Sequence, residues 1–92
     1  MSEQRRAVTI VNKRGLHARA SAKFVGIVSA LPEGVSVKVA KDGNEAAGGS
    51  ILGLMMLGAA KDDEVELIVS GDNAEAVMAQ IAAVVEDGFG EE

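Results

Sequence analysis

The period of the apolar residues changes between Leu31 and Val35, and that change limits what the chain can become. Before it, Ala20, Phe24, Ile27, Val28 and Leu31 recur at i, i+4, i+7, i+8 and i+11, the stripe of an amphipathic helix. Arg19, Lys23, Gly26 and Ser29 fall largely off that stripe. After it, Val35, Val37 and Val39 alternate with Ser36 and Lys38, the period of a half-buried strand. Pro32 disfavours α geometry in the residue before it and Gly34 follows, so the helix ends near Leu31. Adjoining segments of both periods call for a sheet with one apolar face and helices that cover it.

The rest of the chain fits that scheme. Ala7-Val8-Thr9-Ile10-Val11 predicts a strand over residues 5–11, bounded by Asn12-Lys13-Arg14-Gly15. Asp42-Gly43 supplies the φ > 0 geometry of a tight hairpin, with a weak strand over residues 44–47 behind it. Gly48-Gly49-Ser50 breaks that strand, and Ser50 can cap a short helix over residues 51–57 that Gly58 closes. After the loop Lys61-Asp62-Asp63, Val65, Leu67 and Val69 alternate with Glu64, Glu66 and Ile68 in a last strand. Asp72-Asn73-Ala74-Glu75 reads as a capping box, and Val77, Ile81, Val84 and Val85 continue a helix to Asp87, with Gly88 at C′. Residues 1–4 and 89–92 are expected to be frayed. The order β-α-β-β-α-β-α predicts one α+β domain over residues 1–92, a mostly antiparallel sheet with helices on one face and water on the other.

Composition removes whole classes of function. With 92 residues the chain can bury one modest core, and only Phe24 and Phe89 are aromatic, so aliphatic side chains must fill it. No cysteine is present, which excludes a disulfide framework and a thiolate metal site. One histidine and unpatterned acids offer no metal-ligand set, and no phosphate-binding glycine loop occurs, so neither metal nor cofactor is expected. A formal charge of −5 argues against nucleic acid as a partner, although Arg5, Arg6, Lys13, Arg14 and Arg19 crowd one end and can form a local basic patch. No apolar run reaches the roughly 18 residues of a membrane span, and no signal peptide is visible, so a cytoplasmic protein is expected.

Gly15-Leu16-His17-Ala18-Arg19-Ala20 is the candidate site, because a polar loop becomes a helix there. Amide N–H groups at a helix start favour an anion and disfavour a positive ring, which leaves His17 a lone pair for nucleophilic attack on phosphorus. Arg19 works against the helix dipole by about 0.3–1 kcal/mol, a placement that makes sense if it grips an anion. The structural alternatives are a capping histidine and a solvated arginine. Ser50 is either a plain N-cap or a phosphorylation site. The helix Ile51–Leu57 is apolar nearly all round and too short to bury every side chain. Leu54 and Leu57 are expected to face inward, leaving Ile51, Leu52 and Met55 partly exposed as a partner surface.

These residues resemble the HPr family, the histidine-containing phosphocarriers of the bacterial phosphoenolpyruvate-dependent phosphotransferase system. Gly15-Leu16-His17-Ala18-Arg19 matches the family's G-[LM]-H-x-R signature, and Gly49-Ser50-Ile51-Leu52-Gly53-Leu54-Met55-Met56-Leu57 matches the segment with its regulatory serine. The resemblance spans residues 5–88. It implies an open-faced β-sandwich of strand order 1-4-2-3, and a monomeric carrier without turnover of its own. His17 would accept a phosphoryl group on Nδ1 from enzyme I and pass it to an enzyme IIA domain, with Arg19 steadying the phosphate. Ser50 would be the target of an HPr kinase/phosphorylase, and the alternative function is a regulatory module acting through Ser50 alone. Ala20 departs from the proline usual after the arginine, which implies a looser helix start with the chemistry retained. Asn12-Lys13, the Leu54–Leu57 run and Gly88-Phe89 lean toward the nitrogen-related branch rather than sugar transport.

Overall fold

The computed structural model describes residues 3–91. Its elements are β1 (Glu3–Thr9), α1 (Ala18–Ser29), β2 (Val35–Lys41), β3 (Asn44–Ala47), α2 (Ile51–Met56), β4 (Glu64–Gly71), α3 (Ala74–Glu86) and a single 3-10 turn at Gly88–Gly90. The four strands form one sheet in the order β1-β4-β2-β3, with all three pairings antiparallel. The strand order is the one the resemblance implied.

Register follows the valine alternation. Val8 lies opposite Val65, Val37 opposite Val69 and Val39 opposite Leu67, so one face of the sheet is continuous aliphatic surface. A one-residue slip would turn that whole set to water, which is why the register is well specified. Phe24 from α1, Leu54 from α2, and Val77, Ile81 and Val85 from α3 close over it in a single core. The opposite face is polar, with Arg5 bonded to Glu3 at 2.8 Å and Glu66 at 2.9 Å. Ile68 is the exception on that face. It is buried while standing opposite Arg5 and Lys38 in the ladders, where long side-chain stems can cover it.

Three expectations need correction. The segment after α3 is not frayed: Phe89 is 3% exposed and belongs to the core. Gly88 at φ +67° ends the helix and folds the chain back, so the second aromatic side chain is buried despite its place in a short, glycine-rich run. At the other end, β1 already includes Glu3 and Gln4, paired with Ser70 and Val69. Residues 1, 2 and 92, also expected to fray, lie outside the described residues. Finally, no capping box forms before α3. Because β4 runs to Gly71, only two residues link it to the helix, and Asn73 takes left-handed geometry (φ 58°, ψ 30°) without a side-chain cap. Asparagine tolerates that conformation, and the short link outweighs the cap motif. Among the described residues no helix is long and apolar enough to cross a membrane.

Candidate functional site

The site is built where β1 gives way to α1. Ile10 is fully buried; its N–H donates to Asp63 O at 2.8 Å, and its carbonyl accepts from Asp62 N at 2.7 Å. This fixes the point at which the chain leaves the sheet. The next inward residue, Asn12, is buried, and its side-chain amide donates to Gly15 O at 2.8 Å and to Glu91 Oε1 at 3.0 Å. Gly15 N–H returns to Asn12 O at 3.2 Å, and Leu16 N–H donates to Ala59 O at 3.0 Å, tying the loop to the segment behind α2. Leu16 is then anchored in the core and His17 emerges beside it in extended backbone (φ −75°, ψ −177°).

His17 is itself the N-cap of α1. Its Nδ1 accepts from the Arg19 N–H at 3.3 Å, while Nε2 lies 2.7 Å from Glu91 Oε2. A carboxylate can only accept, so this network puts the hydrogen on Nε2 and the lone pair on Nδ1. The capping and the nucleophilic readings of His17 therefore describe one lone pair, held among helix-start amides that have no partner inside the helix. Ala20, buried as the third residue of α1, keeps an N–H there that proline would lack.

The basic residues divide. Arg5 is neutralised on the sheet by Glu3 and Glu66, and Arg6 meets Glu86 of α3 at 3.2 Å. Lys13, Arg14 and Arg19 join Lys23 around His17, lining with Glu91 an open depression of about 720 Å³. Lys23 Nζ also donates to Phe89 O at 2.9 Å, fastening the segment that carries Glu91. Above all the Asn12 amide, then His17 and Arg19, hold the Glu91 carboxyl below its usual range against the cost of burial. Folding thus favours the ionised carboxyl. Its contribution is full above the unfolded-state value and fades as pH falls through the lower folded-state value. Wild type is expected to unfold at a higher temperature than Glu91→Gln at neutral pH, and to lose that advantage as acidification protonates the carboxyl in the folded state. Thermal scans across that range check it, and a constant difference would disconnect the carboxyl from folding.

Ser50 caps α2, its Oγ accepting from Gly53 N–H at 2.9 Å. Leu54 is fully buried and Leu57 half-buried, while Ile51, Leu52 and Met55 are exposed. Met56, outside the expected surface of Ile51, Leu52 and Met55, is the most exposed of the helix at 76%, with Leu52 at 68%. The structure brings His17, Arg19 and the cations together, with Asn12, Lys23 and Glu91 as members that the sequence did not disclose. A lone asparagine just past a strand, and an aromatic between two glycines, were the available signals.

Comparison with known proteins gives a consistent result. A family model described as "PTS HPr component phosphorylation site" matches residues 4–87. The phosphocarrier protein HPr of Pseudomonas putida is 41% identical over 86 residues, covering 94% of this chain and 94% of that protein. The phosphocarrier protein NPr of Shewanella violacea is 34% identical over 91 residues, covering 99% of this chain and 98% of that protein. Among solved structures, HPr-C-His from Thermoanaerobacter tengcongensis matches with a TM-score of 0.88 at 35% identity, covering 97% of this chain and 98% of that one.

Proposed function

The chain belongs to the HPr family of phosphocarriers, and from that premise we propose that His17 takes a phosphoryl group on Nδ1 from phosphorylated enzyme I and passes it to an enzyme IIA domain. The observation that carries this reading is the Nδ1 lone pair held at the start of α1, ringed by Lys13, Arg14, Arg19 and Lys23. Attack on phosphorus ends the ring's own cap bond, and phosphoryl oxygens can then accept from the same amides. The long 3.3 Å bond is weak, so little is lost in the exchange. Arg19, with no ion pair among the described residues, is free to grip those oxygens.

The protein is then a carrier in the cytoplasm that is modified in transit, without turnover of its own. Its site is an open depression, which suits partners that must dock and leave. Ile51, Leu52 and Met55, with Met56, supply an apolar surface joined to the site loop through Leu16 and Ala59. A regulatory module acting through Ser50 and an HPr kinase/phosphorylase has less support, because it leaves the His17 lone pair and the cations around it without a role.

The test is incubation with enzyme I and phosphoenolpyruvate. Acid-labile phosphate on the wild type, discharged on adding a IIA domain and indifferent to Ser50→Ala, is the expected result. Sugar-type and nitrogen-type enzyme I and IIA in parallel decide the branch, and no label with either overturns the reading. Leu52→Glu is expected to slow labelling about tenfold, the loss of about 1.4 kcal/mol at an interface residue. An exposed change of this kind shifts folding stability by less than about 0.5 kcal/mol. An unchanged rate would remove α2 from the docking face.

A further inference from the structure

Glu91 lies beyond residues 4–87 that the family model matches, and the carrier reading gives it no role. Yet its carboxylate meets the edge of the His17 ring opposite the nucleophilic nitrogen, 2.7 Å from Nε2. We propose that Glu91 is a positioning residue, which fixes His17 in the Nε2–H tautomer and so keeps the Nδ1 lone pair presented to an incoming phosphoryl group. The proposal rests on the reading that Nδ1 is the acceptor.

Three features of the structure agree on it. First, the two ends of the ring make the same demand: Nδ1 needs its lone pair to cap α1, and Nε2 needs its hydrogen to meet a carboxylate. Second, the carboxylate is itself held. Asn12 donates to its other oxygen at 3.0 Å, and the amide of Asn12 is oriented by its second bond, to Gly15 O at 2.8 Å. Asn12 Oδ1 is left buried without a partner, so the site uses this residue for its two N–H donors. Third, the segment bearing Glu91 is anchored by buried Phe89 and by the bond from Lys23 to the Phe89 carbonyl. Phe89 holds left-handed backbone (φ 57°, ψ 27°), a conformation that the surrounding contacts must sustain.

The transfer step then needs no proton movement. The Nδ1 lone pair bonds to phosphorus as the bond from phosphorus to the donor breaks, its electron pair leaving with the donor. The ring keeps its hydrogen on Nε2 and gains positive charge, which Glu91 faces directly. When the acceptor attacks, the electron pair of the Nδ1–phosphorus bond returns to Nδ1. Carboxylate and phosphoryl group meet different edges of the ring, the one at Nε2 and the other at Nδ1.

Glu91→Gln is the decisive variant because it keeps size and shape. Asn12 presents an N–H, so the new amide must turn its oxygen there and its NH2 toward Nε2. That arrangement favours a lone pair on Nε2 and the hydrogen on Nδ1. Nitrogen-15 NMR of the ring, at a pH where it is neutral, is expected to show mainly Nε2–H in wild type and a shift toward Nδ1–H in E91Q. Glu91→Ala is expected to give a mixture. Labelling by enzyme I is expected to fall about tenfold or more in E91Q, in the range seen when a group orienting a reactive imidazole is lost. Wild type in the Nδ1–H form, or E91Q with unchanged tautomer or unchanged rate, overturns the proposal. A wild type that shows the Nε2–H form but takes no phosphate overturns the carrier reading instead, with the Glu91 contact intact.

Discussion

His17→Ala is expected to take no acid-labile phosphate from enzyme I while remaining folded. The chain has no other histidine, so no second imidazole can substitute. Removal of the ring strips one cap bond from α1, that of the Arg19 N–H, and one contact from Glu91. Loss of a helix cap costs about 1 kcal/mol, which in a domain of this size lowers the melting temperature by about 4–8 °C. That leaves the great majority of molecules folded at room temperature. Complete loss of label beside so small a thermal shift can only be chemical. His17→Asn sharpens the comparison, because asparagine is a good N-cap but not a phosphoryl acceptor of this kind. It is expected to melt closer to wild type than His17→Ala and to be equally unlabelled. Labelled protein in either variant, read by acid-labile phosphate beside a circular dichroism melt, would move the acceptor away from His17.

The elements that the sequence made legible are those in which one side-chain period does the positioning. The stripe from Ala20 to Leu31 and the alternation of Val35, Val37 and Val39 each select a face that turns to the core, with Ala20, Phe24, Val37 and Val39 buried and Ile27, Val28, Leu31 and Val35 packed half-buried against it. A period does not select a neighbour, however. Nothing in the alternation says that β4 should lie between β1 and β2, and that order came with the family resemblance. The site divides in the same way. Gly15 to Arg19 is local, so the helix start, the lone imidazole and the guanidinium could be read directly. Glu91 is 74 positions from His17, on a stretch too short and too rich in glycine for any pattern, and its approach depends on burying Phe89. Asn12 opens the polar run Asn12-Lys13-Arg14, which reads as a solvated loop, although its side chain is buried. The capping box failed for a related reason. Asp72 and Glu75 have the right spacing, but the length of β4 decides where α3 can begin.

Gly15→Ala is expected to be the most damaging small substitution in the site loop, acting on stability and transfer together. Gly15 sits at φ +61°, where a side chain is already disfavoured. A Cβ there would stand 2.2 Å from Ala59 O and 2.8 Å from Ala60 Cα, both backbone atoms that cannot rotate aside. The loop must therefore shift, and three bonds lie in its path. These are Leu16 N–H to Ala59 O, Gly15 N–H to Asn12 O, and Asn12 Nδ2 to Gly15 O. Strain at a positive φ and broken buried bonds together put the cost at about 2–4 kcal/mol, a large share of the stability of a small domain. Urea unfolding should show it as a lower midpoint with an unchanged slope. The folded fraction should also transfer more slowly, because moving Gly15 turns Asn12 away from Glu91 and removes the support behind the His17 ring. A mutant with wild-type midpoint and wild-type labelling would mean that the Asn12–Gly15–Ala59 contacts neither fix the loop nor position the imidazole. A lowered midpoint with full transfer rate per folded molecule would confine the role of Gly15 to folding. The two measurements together separate the part of this loop that holds the fold from the part that aims its histidine.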